Sequence, residues 1–247
     1  MNYEPDQWTL FIDGSLYSIK AVLLHNGNVF PSVSVAHSVA LKETYENITY
    51  ILECIKYNEH KWQIYADLKV VAILSGMQGG YTKYMCFLCK WDSRARAEYY
   101  ARSQWPPRDA PTIGQHNVVR EPLVSKEKII LPPLHIKLGL MKQYVKALQH
   151  DEPPFEYLKT KFPKLSEAKV KEGMFVGPQI RKLLIDKFYA SILDDLELNA
   201  WSSFKRVCSG LLGNNKADNY RTLVKDLIES YHELGCNMSL KLHFIHI

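Results

Sequence analysis

WTLFID, SIKAVLL and VFPSVSV, three apolar runs in the first forty residues, are parted by Gly14-Ser15 and by His25-Asn26-Gly27-Asn28. Asn-Gly between apolar runs is a strong hairpin signal, because both central turn positions must accept positive φ. Residues 8–39 are therefore expected to form a three-stranded antiparallel meander, with Pro31 placing the third strand at an edge or in a bulge. A helical period follows from Glu43 to about His60, carried by Tyr45, Ile48, Ile51, Leu52 and Ile55. WQIYADLKVVAILSG, residues 62–76, mixes β-branched and apolar residues up to Gly76. Its first half reads as a strand, and its second half is open to a helix.

Residues 77–133 are irregular, with Gly79-Gly80, the CFLC segment, turns around Pro106-Pro107 and Pro111, and Pro132-Pro133. Helical periods then take over. They run through Leu134, Leu138, Met141, Val145 and Leu148, through Leu196, Trp201, Phe204, Val207 and Leu211, and most cleanly through Tyr220, Leu223, Val224, Leu227, Ile228, Tyr231 and Leu234. Three antiparallel strands, a helix and another strand are the opening order of a ribonuclease-H-like core. The expected class is α/β (α+β), a mixed sheet of ribonuclease-H-like order in the front third, a loop-rich middle and an all-helical back half, which the resemblance given below makes a large, mostly helical insertion. The expected domains are a core at 1–80, a loop-rich knuckle at 81–133 and a helical insertion at 134–247.

Hydrophobic residues at 47% and charged residues at 23% exclude a disordered chain. No apolar run reaches the roughly 18–20 residues of a membrane span, and MNYEPDQWTL lacks the basic and apolar regions of a secretory signal. Both point to an intracellular soluble protein. The five cysteines, Cys54, Cys86, Cys89, Cys208 and Cys236, are too sparse for a disulfide framework. The net charge of +5 is too small to indicate a nucleic-acid partner by itself.

Asp13 ends one apolar strand and Asp67 sits within another apolar segment. A carboxylate there is costly unless it is paired, hydrogen-bonded or bound to a cation. Two such carboxylates on neighbouring strands would make a site for Mg²⁺ or Mn²⁺, the ions of phosphodiester chemistry. Simpler readings are a turn cap at Asp13 and a salt bridge from Asp67 to Lys69 or Lys42. Cys86-Phe87-Leu88-Cys89 has the spacing with which two thiolates grip one Zn²⁺. It is half a site. His243 and His246, spaced to share a helix face, are the expected completing ligands, with His135 in reserve. Unliganded thiols or a redox pair are the alternatives. Residues 83–128 hold nine basic side chains against five acidic ones, interleaved with Tyr84, Trp91, Tyr99, Tyr100 and Trp105. Lys83, Lys90, Arg94, Arg96 and Arg102 are the candidate DNA contacts, in a composition that also suits a solvated loop face.

The order FIDGS, WQIYADLK, GYTKYMCFLCKWDSRA, PPLHIKLGL, GPQIRKLL, LGNNKADNY and LGCNMSLKLHF resembles transposase-like proteins of the DDE type, abundant in arthropod and cnidarian genomes. The CxxC lies 19 residues after Asp67, much as in transposases related to the V(D)J recombinase. The resemblance covers nearly the whole chain. It implies a ribonuclease-H-like catalytic core with a helical insertion, Asp13 and Asp67 as the first two catalytic acids, and Cys86 and Cys89 as half of a zinc site. It also implies that His243 and His246 belong to a histidine-rich segment preceding the third acid. DNA is the implied partner, a homodimer is admitted, the implied location is nuclear, and neither a membrane nor an organic cofactor is involved. The sequence departs from the pattern by ending at Ile247 before that acid and by lacking an N-terminal DNA-binding module. The expectation is a DNA-binding chain that is incomplete as a nuclease, unless Glu229 or Glu233 supplies the third carboxylate. The alternative is a non-catalytic, zinc-stabilised scaffold that binds DNA or protein.

Overall fold

Trp8 to Gly14 become β1 (Trp8–Gly14), with Leu10 and Ile12 fully buried. The computed structural model describes residues 3–109, 111–213 and 216–247; Asn214 and Asn215 of the LGNNKADNY segment lie outside the described residues. β1 pairs antiparallel with β2 (Ile19–His25), which pairs antiparallel with β3 (Val33–Ser38). The sheet has five strands in the order β3-β2-β1-β4-β5, where β4 (Gln63–Ala66) and β5 (Ile129–Ile130) run parallel to β1. β1 therefore sits at the centre, covered on both faces, and reads as a near-continuous apolar run. β3 is an exposed edge, one of the two readings of Pro31, and its register with β2 shifts at Ala21/Val22 rather than at Pro31, which precedes the strand. The β2–β3 connection departs from a two-residue hairpin. Asn28, rather than Gly27, takes the left-handed backbone at φ 52°, and the strand does not resume until Val33.

The first helical period becomes α1 (Tyr45–Cys54) and a short α2 (Tyr57–His60), split where Lys56 adopts φ 52°. Thr44 caps α1 by accepting from the Asn47 amide, and Ile48, Ile51 and Leu52 are buried. The open half of 62–76 is a helix, α3 (Leu68–Leu74), burying Val70, Val71 and Leu74. It ends at Gly76, whose φ is +65°. The Gly76 amide donates to Ile73 and the Met77 amide to Ala72, while the Gly76 carbonyl accepts from Val119 and Arg120. A Cβ on Gly76 would stand 2.1 Å from the Arg120 carbonyl oxygen. Gly76→Ala is thus expected to destabilise the protein by roughly 3 kcal/mol, from left-handed strain plus overpacking against backbone, measurable as a lower midpoint in urea unfolding.

Past residue 132 the chain is helical: α4 (Pro133–Ala147), α5 (Pro153–Lys161), α6 (Glu167–Lys171), α7 (Gly177–Leu184), α8 (Lys187–Ser191), α9 (Asp195–Gly210), α10 (Tyr220–Glu233) and α11 (Leu240–His246). The α9 start is a reciprocal cap: Asp194 accepts from the Glu197 amide, and Glu197 accepts from the Asp194 amide. Trp201, Tyr144, Tyr189, Tyr231 and Phe204 form the aromatic centre of this region. Leu134 and Leu196, expected on the apolar faces of α4 and α9, are instead 49% and 50% exposed. Ile136, Leu140 and Tyr144 carry the buried face of α4 in place of Leu134.

Two compact units result. The sheet unit comprises Met1–Ala95 and Trp105–Pro132; the helical unit comprises Arg96–Gln104 and Pro133–Ile247. The mixed sheet and the helices make the class α+β.

Candidate functional site

β1 and β4 are neighbours in parallel, with Ile12 paired to Ala66. Asp13 and Asp67 each follow by one residue, so they stand at adjacent strand ends, about 5 Å apart in backbone spacing. Asp13 is exposed, and among the described residues its carboxylate takes no hydrogen bond or ion pair. In the ladder it faces Lys20. Asp67 lies just past β4 rather than inside a strand. Its Oδ1 accepts from the Lys69 and Val70 amides at 2.9 and 2.8 Å, capping α3. The simpler reading of Asp67, a salt bridge to Lys69 or Lys42, is not met among the described residues, and Lys69 pairs with Glu43 instead.

Glu43 is the residue that the sequence reading missed. Its side chain is only 3% exposed, and its Oε1 is buried with no hydrogen-bond partner. Its amide donates to the Ser15 carbonyl at 3.3 Å. A Cβ on Gly14 would lie 2.8–3.0 Å from the Glu43 Cγ, Cδ and Oε1, so the carboxylate packs on the residue next to Asp13. Nothing in the pattern around Glu43 signals burial, since it precedes a helix cap in a polar stretch.

In the same unit the CxxC segment folds back on residues 106–108. The Lys90 amide donates to Pro106, and the Arg108 amide donates to Leu88. Cys86 and Cys89 are both buried, and their sulfur atoms lie within 4.8 Å of each other. Burial, with the Cys89 thiol alongside, pushes the Cys86 thiol well above the ordinary thiol range. Arg108 is one of the nine basic side chains of residues 83–128, whose composition suits a solvated or DNA-contacting surface. It is buried instead, its Nε donating to the Cys86 carbonyl at 2.7 Å and its guanidinium also donating to the carbonyls of Tyr84 and His116. Trp91, counted among the surface aromatics, is 2% exposed. A positive charge anchored behind two thiols suits a pair that becomes anionic on binding a metal, and the pair offers two ligands that could hold one.

In the helical unit, His243 and His246 lie on α11, capped by Ser239. His243 is 1% exposed. Burial and the neighbouring His243 hold the His246 imidazole below its ordinary value. Glu229 lies on α10 and pairs with Lys225 at 3.7 Å; Glu233 ends the same helix. Of the candidate DNA contacts, Lys83 pairs with Asp92 at 3.1 Å and Arg102 with Glu98 at 3.0 Å. Arg94 and Arg96 are exposed, and among the described residues neither makes an ion pair.

A mixed five-stranded sheet with carboxylates at two adjacent strand ends and a buried thiol pair, joined to a unit of helices, defines a two-unit α+β protein. The chain belongs to the family described as domain of unknown function DUF8703, which matches residues 1–124, and residues 133–213 match a second family, domain of unknown function DUF8704. No curated protein and no solved structure matches the chain. Among the described residues, no helix is long and apolar enough to cross a membrane.

Proposed function

We propose that the sheet unit is a ribonuclease-H-like domain of the DDE transposase type, in which Asp13 and Asp67 hold Mg²⁺ or Mn²⁺ for phosphodiester chemistry on DNA. The observation that carries this reading is the parallel pairing of β1 with β4, which sets the two aspartates at neighbouring strand ends. Carboxylates so placed suit hard divalent ions. The strand order, an antiparallel β1–β3 meander followed by β4 and β5 parallel to β1, supports the same reading. DNA would be held by phosphate contacts from Lys83, Lys90 and Arg94 of the sheet unit and from Arg96 and Arg102 of the helical unit, contacts that position without reading sequence. A nuclear location belongs to this proposal. So does a Zn²⁺ ion on Cys86 and Cys89, with His243 and His246 nominated from the sequence as imidazole ligands.

The alternative, a non-catalytic zinc-stabilised scaffold, is favoured by one observation: Lys83 and Arg102 are already engaged with acidic partners. Mn²⁺ binding and Mn²⁺-dependent DNA cleavage, compared between the native chain, Asp13→Asn and Asp67→Ala, separate the two readings. Metal binding or cleavage that disappears in both variants supports the metal-dependent reading. DNA binding that is indifferent to Mn²⁺ and to both substitutions overturns it.

A further inference from the structure

A pocket of about 220 Å³ opens within the sheet unit, where the end of α3 meets residues 108–127. Its apolar walls come from Met77, Phe87, Val118 and Val124, all buried, with Pro111 and Pro122 beside them. None of the acids or thiols invoked above lines it. An apolar cavity of about 150 Å³ holds one benzene ring, so this volume suits a ring with one small substituent.

Three polar groups at the pocket point to the charge of that substituent. Ser75 lines it, and the Ser75 Oγ is buried without a hydrogen-bond partner. Leaving a buried hydroxyl unpaired is costly, and an acceptor on a ligand would relieve it. Arg108 also lines it and is 6% exposed. Its guanidinium donates to three carbonyls and pairs with no carboxylate among the described residues. Zinc on the thiol pair would not change that sum, because two thiolates and one Zn²⁺ cancel. A buried guanidinium that lacks a counter-charge favours the arrival of an anion, since its surroundings screen it little.

Lys126 stands at the same wall. Its Nζ donates to the Arg108 carbonyl at 2.7 Å and to Asp109 Oδ1 at 3.2 Å. The Asp109 side chain is 76% exposed against 30% for Lys126, so the acid lies out in water while the ammonium is held at the pocket. An ion pair this exposed is worth little, and Asp109 can turn away from it at small cost.

We propose that this pocket binds a small carboxylate with an apolar body of about one ring. The body lies among Met77, Phe87, Val118 and Val124. The carboxylate takes the Lys126 ammonium from Asp109, in the field of the Arg108 charge and with the Ser75 hydroxyl as a donor. Apolar walls with a few placed polar groups suit a compact, singly charged headgroup. The exchange at Lys126 predicts opposite effects for the two members of the ion pair. Removing the cation removes the anchor, whereas removing the acid removes a competitor. A purely structural Asp109–Lys126 pair gives neither effect.

The test is a ligand-observed NMR titration of the full chain, with zinc supplied, using benzoate beside benzyl alcohol, which has the same ring and no charge. Benzoate is expected to bind with a Kd of roughly 0.1–1 mM, at least about 10-fold tighter than the alcohol. Lys126→Gln is expected to weaken benzoate binding about 10-fold and to leave the alcohol unchanged, while Asp109→Asn tightens benzoate several-fold. Val118→Phe fills the pocket and should abolish binding of both. If Val118→Phe fails to fold, the variants of the ion pair decide. Benzoate binding no tighter than that of benzyl alcohol overturns the proposal. So does equal benzoate affinity in the native chain, Lys126→Gln and Asp109→Asn, or benzoate binding that never saturates.

Discussion

Asp67→Asn is expected to weaken Mn²⁺ binding on the order of 100-fold, nearly 3 kcal/mol, while changing stability by less than about 1 kcal/mol. The separation comes from the two duties of one carboxylate. Oδ1 accepts the Lys69 and Val70 amides as the cap of α3. The rest of the group, at the end of β4 beside Asp13, is what the proposed site would use. Asparagine caps a helix about as well as aspartate but brings no negative charge to a cation. Asp67→Ala loses both duties. It should show the same loss of metal binding with an added destabilisation of about 1 kcal/mol, read from chemical denaturation without metal. Equal metal affinity in the native chain and Asp67→Asn would reduce the residue to its capping role.

The second large effect concerns the thiol pair. The native chain is expected to carry about one zinc, and Cys86→Ser to lose it together with about 3–5 kcal/mol of stability, less than the full binding energies of isolated zinc peptides. Packing alone is controlled by Cys208→Ser, which alters a buried thiol on α9 that belongs to no CxxC pair and should leave the zinc content unchanged. The pH dependence has a definite sign. Burial raises the Cys86 thiol in the metal-free fold. The folded state thus holds that proton more tightly than the unfolded chain does. Its contribution is complete below the unfolded thiol value, roughly 8.5, and is lost as pH rises above it. With zinc bound the thiolate is held by the metal and this alkaline loss should vanish. Metal-free and zinc-loaded chains melted from pH 7 to 10 would show the difference; parallel curves would argue for plain thiols.

The elements that could be read from the sequence are those whose own period repeats. The meander, α1, β4, α9 and α10 each carry enough apolar residues at a fixed spacing to declare themselves. β5 was missed because its two isoleucines, Ile129 and Ile130, have no period to detect. The short helices α5 to α8 were covered only by a general expectation of helix, each spanning five to nine residues. At the site, Asp13, Asp67, Cys86 and Cys89 stood out because polar or thiol groups interrupt apolar or patterned stretches. Glu43 and Arg108 did not stand out. Each lies in a polar stretch, and its burial is imposed by distant segments: Gly14 for Glu43, and residues 84, 86 and 116 for Arg108. Burial of a charge is decided by what folds over it, which local spacing does not record.

The chain crosses between its two units three times, at 95/96, 104/105 and 132/133. The short excursion 96–104 falls inside the stretch matched by the first family, yet it packs with the helices. Tyr100 donates its hydroxyl to the Cys236 carbonyl at 2.6 Å, and its ring stacks on His232 at 4.4 Å. A clean cut at residue 132 would therefore leave one fragment with an orphaned loop and the other with an uncovered seam at Cys236. The two family regions can be told apart by sequence, but they are stitched together. A graft of the helical half onto another sheet unit would have to bring residues 96–104 with it.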